Sequence, residues 1–404
     1  MNRVLVVVGH GMVGHRLVQE VRARDTADDW RVVVLAEEPR PAYDRVGLSG
    51  YAHGAEAEAL GLPGNDFAGD RAVELRLDTP VTGVDREART VTCADGTVVG
   101  YDALVLATGS RPFVPPVPGH DLPGCHVYRT IEDVAGIRAA ARPGRPGVVV
   151  GGGLLGLEAA NALRLMGMVP HVVEMAPRLM PLQLDEGGAA VLARLVGSMG
   201  VHVHCGASMA SVDAGPDGRV RGITLDGAPL EADLVVFSAG VRPRDDLAAG
   251  AGLERGPRGG FLVDRHCRTA DERVWAVGEC AAVEGRAYGL VAPGYRMAEA
   301  VARQLTGEPS ADFPGADMST KLKLLGVDVA SFGDAHAGTE GALEFVRSGS
   351  GRYAKLVLDR DGTTLLGGVL AGDAAAYSTL RGLLDRPLTA SPDALLGALE
   401  PAGG

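Results

Sequence analysis

The chain has 404 residues, enough for two or three domains of roughly 150 residues each. It carries 58 glycines and only 4% aromatic residues, the balance of an α/β protein with buried parallel strands. A net charge of −12 with no basic stripe argues against a nucleic-acid partner, although an acidic protein can still dock a partner through a local basic patch. The five cysteines, Cys93, Cys125, Cys205, Cys267 and Cys280, form no C-x-x-C or other close pair. A redox dithiol, a zinc site or an iron–sulfur cluster within the chain is therefore not expected, and the thiols read as reduced and cytoplasmic. The longest apolar stretch, Val148–Met166, holds Glu158, Asn161 and Arg164, so no membrane span is expected.

In chain order, Arg3–Val8 reads as a fully apolar first strand and not as a signal peptide, because Gly9, His10 and Gly11 cut the run short. Met12–Arg24 has helical spacing, with Val13, Leu17, Val18 and Val21 on one side. Arg31–Ala36 is the next strand and ends at Glu37. The turn between strand and helix, Gly9-His10-Gly11-Met12-Val13-Gly14, fits G-x-G-x-x-G. Glycines there permit a tight turn and a close approach of backbone to a pyrophosphate, which the helix N-terminus attracts. Glu37 can accept hydrogen bonds from ribose hydroxyls; the polar insertion Asp25–Trp30 accounts for its long spacing from the glycines. His10, His15 and His53 stand out nearby and read as structural, since no carboxylate pairs with them in sequence.

A loop-rich region runs to about Asp70, followed by strands at Ala72–Leu77 and Val81–Asp85. Thr90–Ala94 and Thr97–Gly100 flank the hairpin signal Asp95-Gly96, and the strand Ala103–Ala107 ends in Thr108-Gly109-Ser110-Arg111-Pro112. Pro112–Pro118 reads as a linker. A second βαβ unit starts at Gly147, with the turn Gly151-Gly152-Gly153-Leu154-Leu155-Gly156, a helix over Leu154–Met166 and a strand His171–Val173 ending at Glu174. A helix Glu186–Met199, a strand Val201–Val203, strands around Asp226-Gly227, and the strand Asp233–Ser238 follow, closing in Gly240-Val241-Arg242-Pro243. Each half thus repeats a glycine turn, an acid-ended strand, a D-G hairpin, an apolar strand and a closing G-x-R-P, which points to a duplicated nucleotide domain. Val274–Val277 is a short strand running into Gly278-Glu279, and a helix follows over Pro293–Gln304. From about Asp312, strands Val327–Phe332, Phe345–Ser348, Tyr353–Leu358 and Leu365–Leu370 and a helix near Ala374–Leu384 read as a small α+β domain covered on one face. The tail beyond Pro387 reads as one more short helix with a disordered end, Pro401–Gly404.

These features resemble the two-dinucleotide-binding flavoprotein oxidoreductases, the glutathione-reductase-like class, and within it the N-terminal diaphorase portion of NAD(P)H nitrite reductase large subunits. The stretches that carry the resemblance are EPRPAYDRVGLSG from Glu38, RLMPLQLD from Arg178, WAVGECA from Trp275, YGLVAP from Tyr288 and STKLKLLGVD from Ser319. The resemblance implies two Rossmann-like domains, the second inserted in the first, plus a C-terminal α+β interface domain. Its boundaries would be 1–112 with 233–311 for FAD, 113–232 for NAD(P)H and 312–404 for the last domain.

Carried over by position, Gly9, Gly11 and Gly14 would face the FAD pyrophosphate and Glu37 the adenosine ribose, with Met12 and Glu38 also on FAD. Arg45, Thr108, Gly109 and Arg129 would lie along FAD, and Gly278 and Glu279 at its ribityl and pyrophosphate region. Gly151, Gly153, Leu155, Gly156 and Gly240 would hold the nicotinamide nucleotide. Glu158, two residues into the helix, would stand near the flavin–nicotinamide junction as the catalytic candidate. Glu174 would meet the second adenosine ribose, where its charge favours NADH, while Arg178 nearby leaves NADPH open.

Two departures matter. Ferredoxin-reductase-like relatives place a lysine after the Leu-Ser of the first loop, whereas here Gly50 follows Leu48-Ser49, as in the nitrite reductase group. The cysteine-rich iron–sulfur and sirohaem regions of a full nitrite reductase are missing, so nitrite reduction by this chain alone is not expected. The implied activity is hydride transfer from NAD(P)H to FAD and then electron transfer to a separate iron–sulfur or haem acceptor protein. Direct action on a small-molecule substrate and a nucleotide-sensing flavoprotein remain as alternatives. The class also implies a homodimer through the C-terminal domain.

Overall fold

The computed structural model describes residues 3–349 and 351–397; the expected disordered end, Pro401–Gly404, lies outside them. The chain divides into two compact units, Met1–Arg111 with Val241–Ala316, and Pro112–Gly240 with Asp317–Gly404.

The first unit is built on a parallel sheet in the order Val274–Ala276, Ala103–Leu106, Arg3–Val8, Trp30–Leu35 and Val73–Arg76. Leu5, Val6, Val7, Leu104, Val105 and Leu106 are wholly buried, the outcome expected of near-continuous apolar strands covered on both faces. These strands show no apolar–polar alternation because neither face meets water. The helix Met12–Arg24 packs beside the helix Val291–Leu305. An antiparallel sheet, Val81–Asp85, Thr90–Cys93 and Val98–Gly100, lies between the parallel strands Val73–Arg76 and Ala103–Leu106 in the chain. The loop-rich stretch before Asp70 contains a short helix, Leu48–Ala52, and single turns at Arg45–Gly47 and Ala57–Leu60.

The second unit repeats this plan. Its parallel sheet runs Cys125–Val127, Leu234–Phe237, Pro146–Val150, Val169–Glu174 and His202–Cys205, with an antiparallel sheet of Met209–Ala214, Val220–Leu225 and Ala228–Glu231. Asp226 and Gly227, at φ of 49° and 81°, make the tight two-residue hairpin that D-G encodes. The first unit's turn differs: only Gly96 of Asp95-Gly96 has positive φ, and Asp95 instead accepts the Thr97 N–H at 2.8 Å.

Three expectations need correction. The strand near Asp233 does not resume the first unit: Leu234–Phe237 pairs in parallel with Gly147–Val150, and the first unit resumes at Val241. An apolar strand buried on both faces looks alike in either sheet, and only its hydrogen-bonded neighbour decides. The C-terminal region forms its own five-stranded antiparallel sheet, but it clusters with Pro112–Gly240 and starts at Asp317, not at 312. That sheet is covered on both faces, not one. Ala354, Leu356 and Leu358 join a core with Tyr377 and Leu380, while on the other side Gly187 and Gly188 of the helix Glu186–Ser198 approach Tyr353 and Val369.

Several elements had not been anticipated, among them the following. The strand Thr320–Leu324 forms one edge of the C-terminal sheet. Cys125–Val127 is too short for its pattern to be read, and Ile131–Ala140 is a helix announced by the capping box of Thr130 and Asp133. No helix among the described residues is long and apolar enough to cross a membrane.

Candidate functional site

Both glycine turns divide their labour in the same way. A Cβ on Gly9 would stand 2.3 Å from the Ala107 carbonyl oxygen, and one on Gly14 would stand 2.2 Å from that of Gly9. In the second unit a Cβ on Gly151 would stand 2.3 Å from the Ser238 oxygen, and one on Gly156 would stand 1.9 Å from that of Gly151. The outer glycines are therefore demanded by packing of strand, turn and helix. The middle ones, Gly11 and Gly153, face open space within 4 Å. Each is the N-cap of its helix, neither helix end has a side-chain cap, and neither has an acid in its first turn. Each turn thus leaves uncapped N–H groups and positive helix-end potential beside room for a ligand, the requirements of a bound pyrophosphate.

The matching acids are held differently. Glu37, just beyond the strand Trp30–Leu35, pairs with Arg244 at 2.5 Å. Glu38 accepts from the Tyr43 hydroxyl at 2.9 Å and pairs with Arg45, which also donates to the Tyr43 oxygen at 2.8 Å. Glu174, the last residue of its strand, accepts the N–H of Gly152 at 2.6 Å and of Ala176 at 2.7 Å, so its carboxylate is fixed at the mouth of the second glycine turn. Arg178 is turned to the Leu184 carbonyl at 3.0 Å.

The first sheet brings further expected residues together. Thr108 donates to the Arg244 carbonyl at 2.6 Å, and Gly109 accepts the Arg244 N–H at 2.9 Å. Ser110 donates to Glu279 at 2.9 Å, while Gly278 packs on Val13 of the glycine-turn helix. Arg244 and Ser110 are the residues that sequence reasoning missed. Each stands within four residues of a recognised G-x-R-P closure, which was the available signal.

These residues sit on a recognisable framework: the chain matches the family described as "Pyridine nucleotide-disulphide oxidoreductase" over residues 3–303, and the "Rubredoxin NAD+ reductase C-terminal domain" over 319–387. The chain belongs to the pyridine nucleotide-disulphide oxidoreductase family. It is 52% identical to the nitrite reductase [NAD(P)H] large subunit of Klebsiella oxytoca over 93% of its own length and 39% of that protein's. It is 32% identical to the rubredoxin-NAD(+) reductase of Alcanivorax borkumensis, over 92% of this chain and 95% of the relative. The covalent putidaredoxin reductase–putidaredoxin complex aligns with a TM-score of 0.85 at 25% identity, covering 98% of this chain and 95% of that one. The chain spans less than half the length of the nitrite reductases it matches.

Against this family's name, the five cysteines are all free thiols. Burial pushes the thiols of Cys93, Cys267 and Cys280 up and keeps them protonated and inert.

Other expected residues fall as follows. Leu155 lies in the first turn of the helix Leu154–Leu165, and Glu158 is its fifth residue, not its second. Gly240, at φ of 99°, accepts the Phe113 N–H at 2.9 Å. Arg129 lies in the second unit, in the link between Cys125–Val127 and Ile131–Ala140, rather than beside the first glycine turn in sequence or sheet. His10 and His15 are buried, and their Nε2 atoms donate to the carbonyls of Asn65 at 2.7 Å and Pro63 at 3.2 Å. Burial holds His10 down at about 4. His53 is exposed and bonds the carbonyl of Ser49 at 2.9 Å.

Proposed function

We propose that this chain is an FAD-dependent NAD(P)H oxidoreductase that passes electrons to an iron–sulfur or haem centre outside these 404 residues. The observation that carries the reading is the pair of glycine turns, each open only at its middle glycine. A single such turn serves one nucleotide; two in one chain serve a donor and a carrier. Bound FAD supplies the carrier chemistry, accepting a hydride from reduced nicotinamide and releasing electrons onward.

The chain's own residues bind and orient. In the first unit Gly11 and Met12 would offer backbone N–H groups to the FAD pyrophosphate, with Glu37 at the ribose and Arg244 offsetting its charge. Arg45 is held by Glu38, and Glu279 by Ser110, ready to line the rest of the cofactor together with Thr108 and Gly109. In the second unit Gly153 and Leu155 would receive the nicotinamide nucleotide. Glu174, held in place by two backbone donors, would accept its ribose hydroxyls and repel a 2′-phosphate, so NADH is preferred. Glu158 would orient the nicotinamide end.

A protein acceptor is supported by the rubredoxin reductase relative and by the putidaredoxin complex. Action on a small molecule loses its best acid–base candidates, because His10 and His15 are buried against backbone carbonyls. The test is anaerobic rapid mixing of the purified flavoprotein. NADH should bleach the flavin faster than NADPH, and Glu174→Ala should shrink that preference at least about tenfold. Reoxidation should follow addition of rubredoxin or a [2Fe–2S] ferredoxin and not of nitrite. Failure of both nucleotides to bleach the flavin would overturn the reading.

A further inference from the structure

The second parallel sheet ends in an edge strand, His202–Cys205, whose neighbour is Val169–Glu174. Alternation places His202 and His204 on one face of that strand. The register sets His171 opposite His202 and Val173 opposite His204, so His171 shares the face. The remainder of that face is apolar: Val148, Val150, Val173, Val235 and Phe237 pack against the antiparallel sheet. Three imidazoles therefore gather at the rim of an otherwise greasy surface.

Their geometry is close. His171 Nδ1 lies 3.1 Å from His204 Nε2. The His171 ring stacks on His202 with centroids 4.6 Å apart and planes 17° apart. Two nitrogens bound to one tetrahedral zinc, each at roughly 2.0–2.1 Å, stand about 3.3 Å from one another. The first pair thus already has the spacing of two ligands on one ion. Among the described residues no three such side chains yet converge on a point. The third ring, His202, is exposed, and to join the pair it must leave its stack on His171 by a rotation about its side-chain bonds.

We propose that His171, His202 and His204 form a site for a divalent transition metal of the zinc class on this sheet edge. Imidazoles bind metal as free bases, and the hydrogen bond between His171 and His204 requires at least one of the two rings to be neutral. In the empty site one ring of the 3.1 Å pair donates the shared proton. On metal binding that proton moves to the other nitrogen of the same ring, so no net proton is released. Three histidines leave a fourth position for water or an anion. The scatter of the cysteines does not bear on this site, because no cysteine takes part. The site stands three residues before Glu174 on the same strand and does not depend on flavin or nucleotide being bound.

The test is a Co²⁺ titration of the full-length, tag-free chain after treatment with a chelator, read from the visible absorption of tetrahedral Co²⁺, with Zn²⁺ as competitor. One equivalent should bind and be displaced by Zn²⁺. His171→Ala, His202→Ala and His204→Ala should each weaken binding at least about tenfold, the scale on which even outer-shell partners act. His126→Ala, on the opposite face of the sheet, should leave binding unchanged. His202 is exposed, so its variant decides the matter even where the half-buried His171 variant fails to fold. Absence of a one-equivalent signal, or a signal that persists in the triple alanine variant, overturns the proposal; the three rings are then a stacked, hydrogen-bonded patch.

Discussion

At the scale of single residues, the two glycine turns separate packing from ligand approach. Gly156 lies where a Cβ would stand 1.9 Å from a backbone oxygen, which no rotamer change relieves, while Gly153 opens on free space at φ of −79°, a value any residue adopts. Gly156→Ala should therefore lower the thermal midpoint of the nucleotide-free protein. Gly153→Ala should leave that midpoint within about 2 °C and, on the proposed function, weaken NADH binding at least tenfold or so, since the added methyl fills the open space where the pyrophosphate would approach. Calorimetry for the first and equilibrium titration for the second separate the roles; equal midpoints for the two variants would contradict this division. The same contrast explains why G-x-G-x-x-G was legible: three positions are set by two different physical demands, and only glycine meets both.

At the scale of elements, the helix Glu186–Ser198 is fastened to the C-terminal sheet through its N-cap. Asp185 caps Gly188 at 3.0 Å and also accepts from Tyr353 at 2.6 Å and pairs with Lys355 at 2.9 Å. Lys355 is 2% exposed and pairs with Glu344 at 2.9 Å as well. Burial alone would lower the lysine, but its two carboxylate partners prevail and its affinity for the proton is raised. Lys355→Met should cost about 3 kcal/mol, because it strips a cation from a part-buried carboxylate; Glu344→Ala should cost less than about 1 kcal/mol, since that partner is half exposed. Chemical denaturation measures both, and equal losses would refute the asymmetry. None of this network was legible beforehand. Lys355 sits in an apolar strand far along the chain from Asp185, and sequence spacing carries no trace of such a pairing. Long strands and helices were legible because their periodicity is local: Arg3–Val8, Met12–Arg24, Val81–Asp85 and Tyr353–Leu358 fall where their apolar patterns put them.

At the scale of the whole molecule, buried neutral histidines tie stability to pH. His10 is lowered to about 4 chiefly by burial, and burial lowers His15 too. The unfolded chain, with ordinary histidines near 6.5, binds more protons than the folded one below that value. The stabilisation is therefore complete above about pH 6.5 and is lost progressively as pH falls towards 4. His10 contributes a slope of up to about 1.4 kcal/mol per pH unit across that window, and His15 acts in the same direction. Thermal midpoints between pH 8 and 4 should fall on the acid side, and His10→Gln should flatten the decline; a midpoint unchanged from pH 7 to 5 would remove these histidines from the account.

The sequence by itself determined the two glycine turns, the acids Glu37 and Glu174 that follow them, the internal repeat and the change of texture towards the C-terminus. All are written in local spacing, where strand, turn and helix each leave a period or a required glycine. Only the tertiary structure decided which sheet takes Leu234–Phe237, that the last sheet is sealed on both faces, that Arg244 reaches Glu37, and that three histidines from two strands share one edge. Those facts arise from pairing between distant segments. The free energy that selects a partner strand or an ion pair lies in the contact itself, and neither segment carries its partner's address in its own pattern.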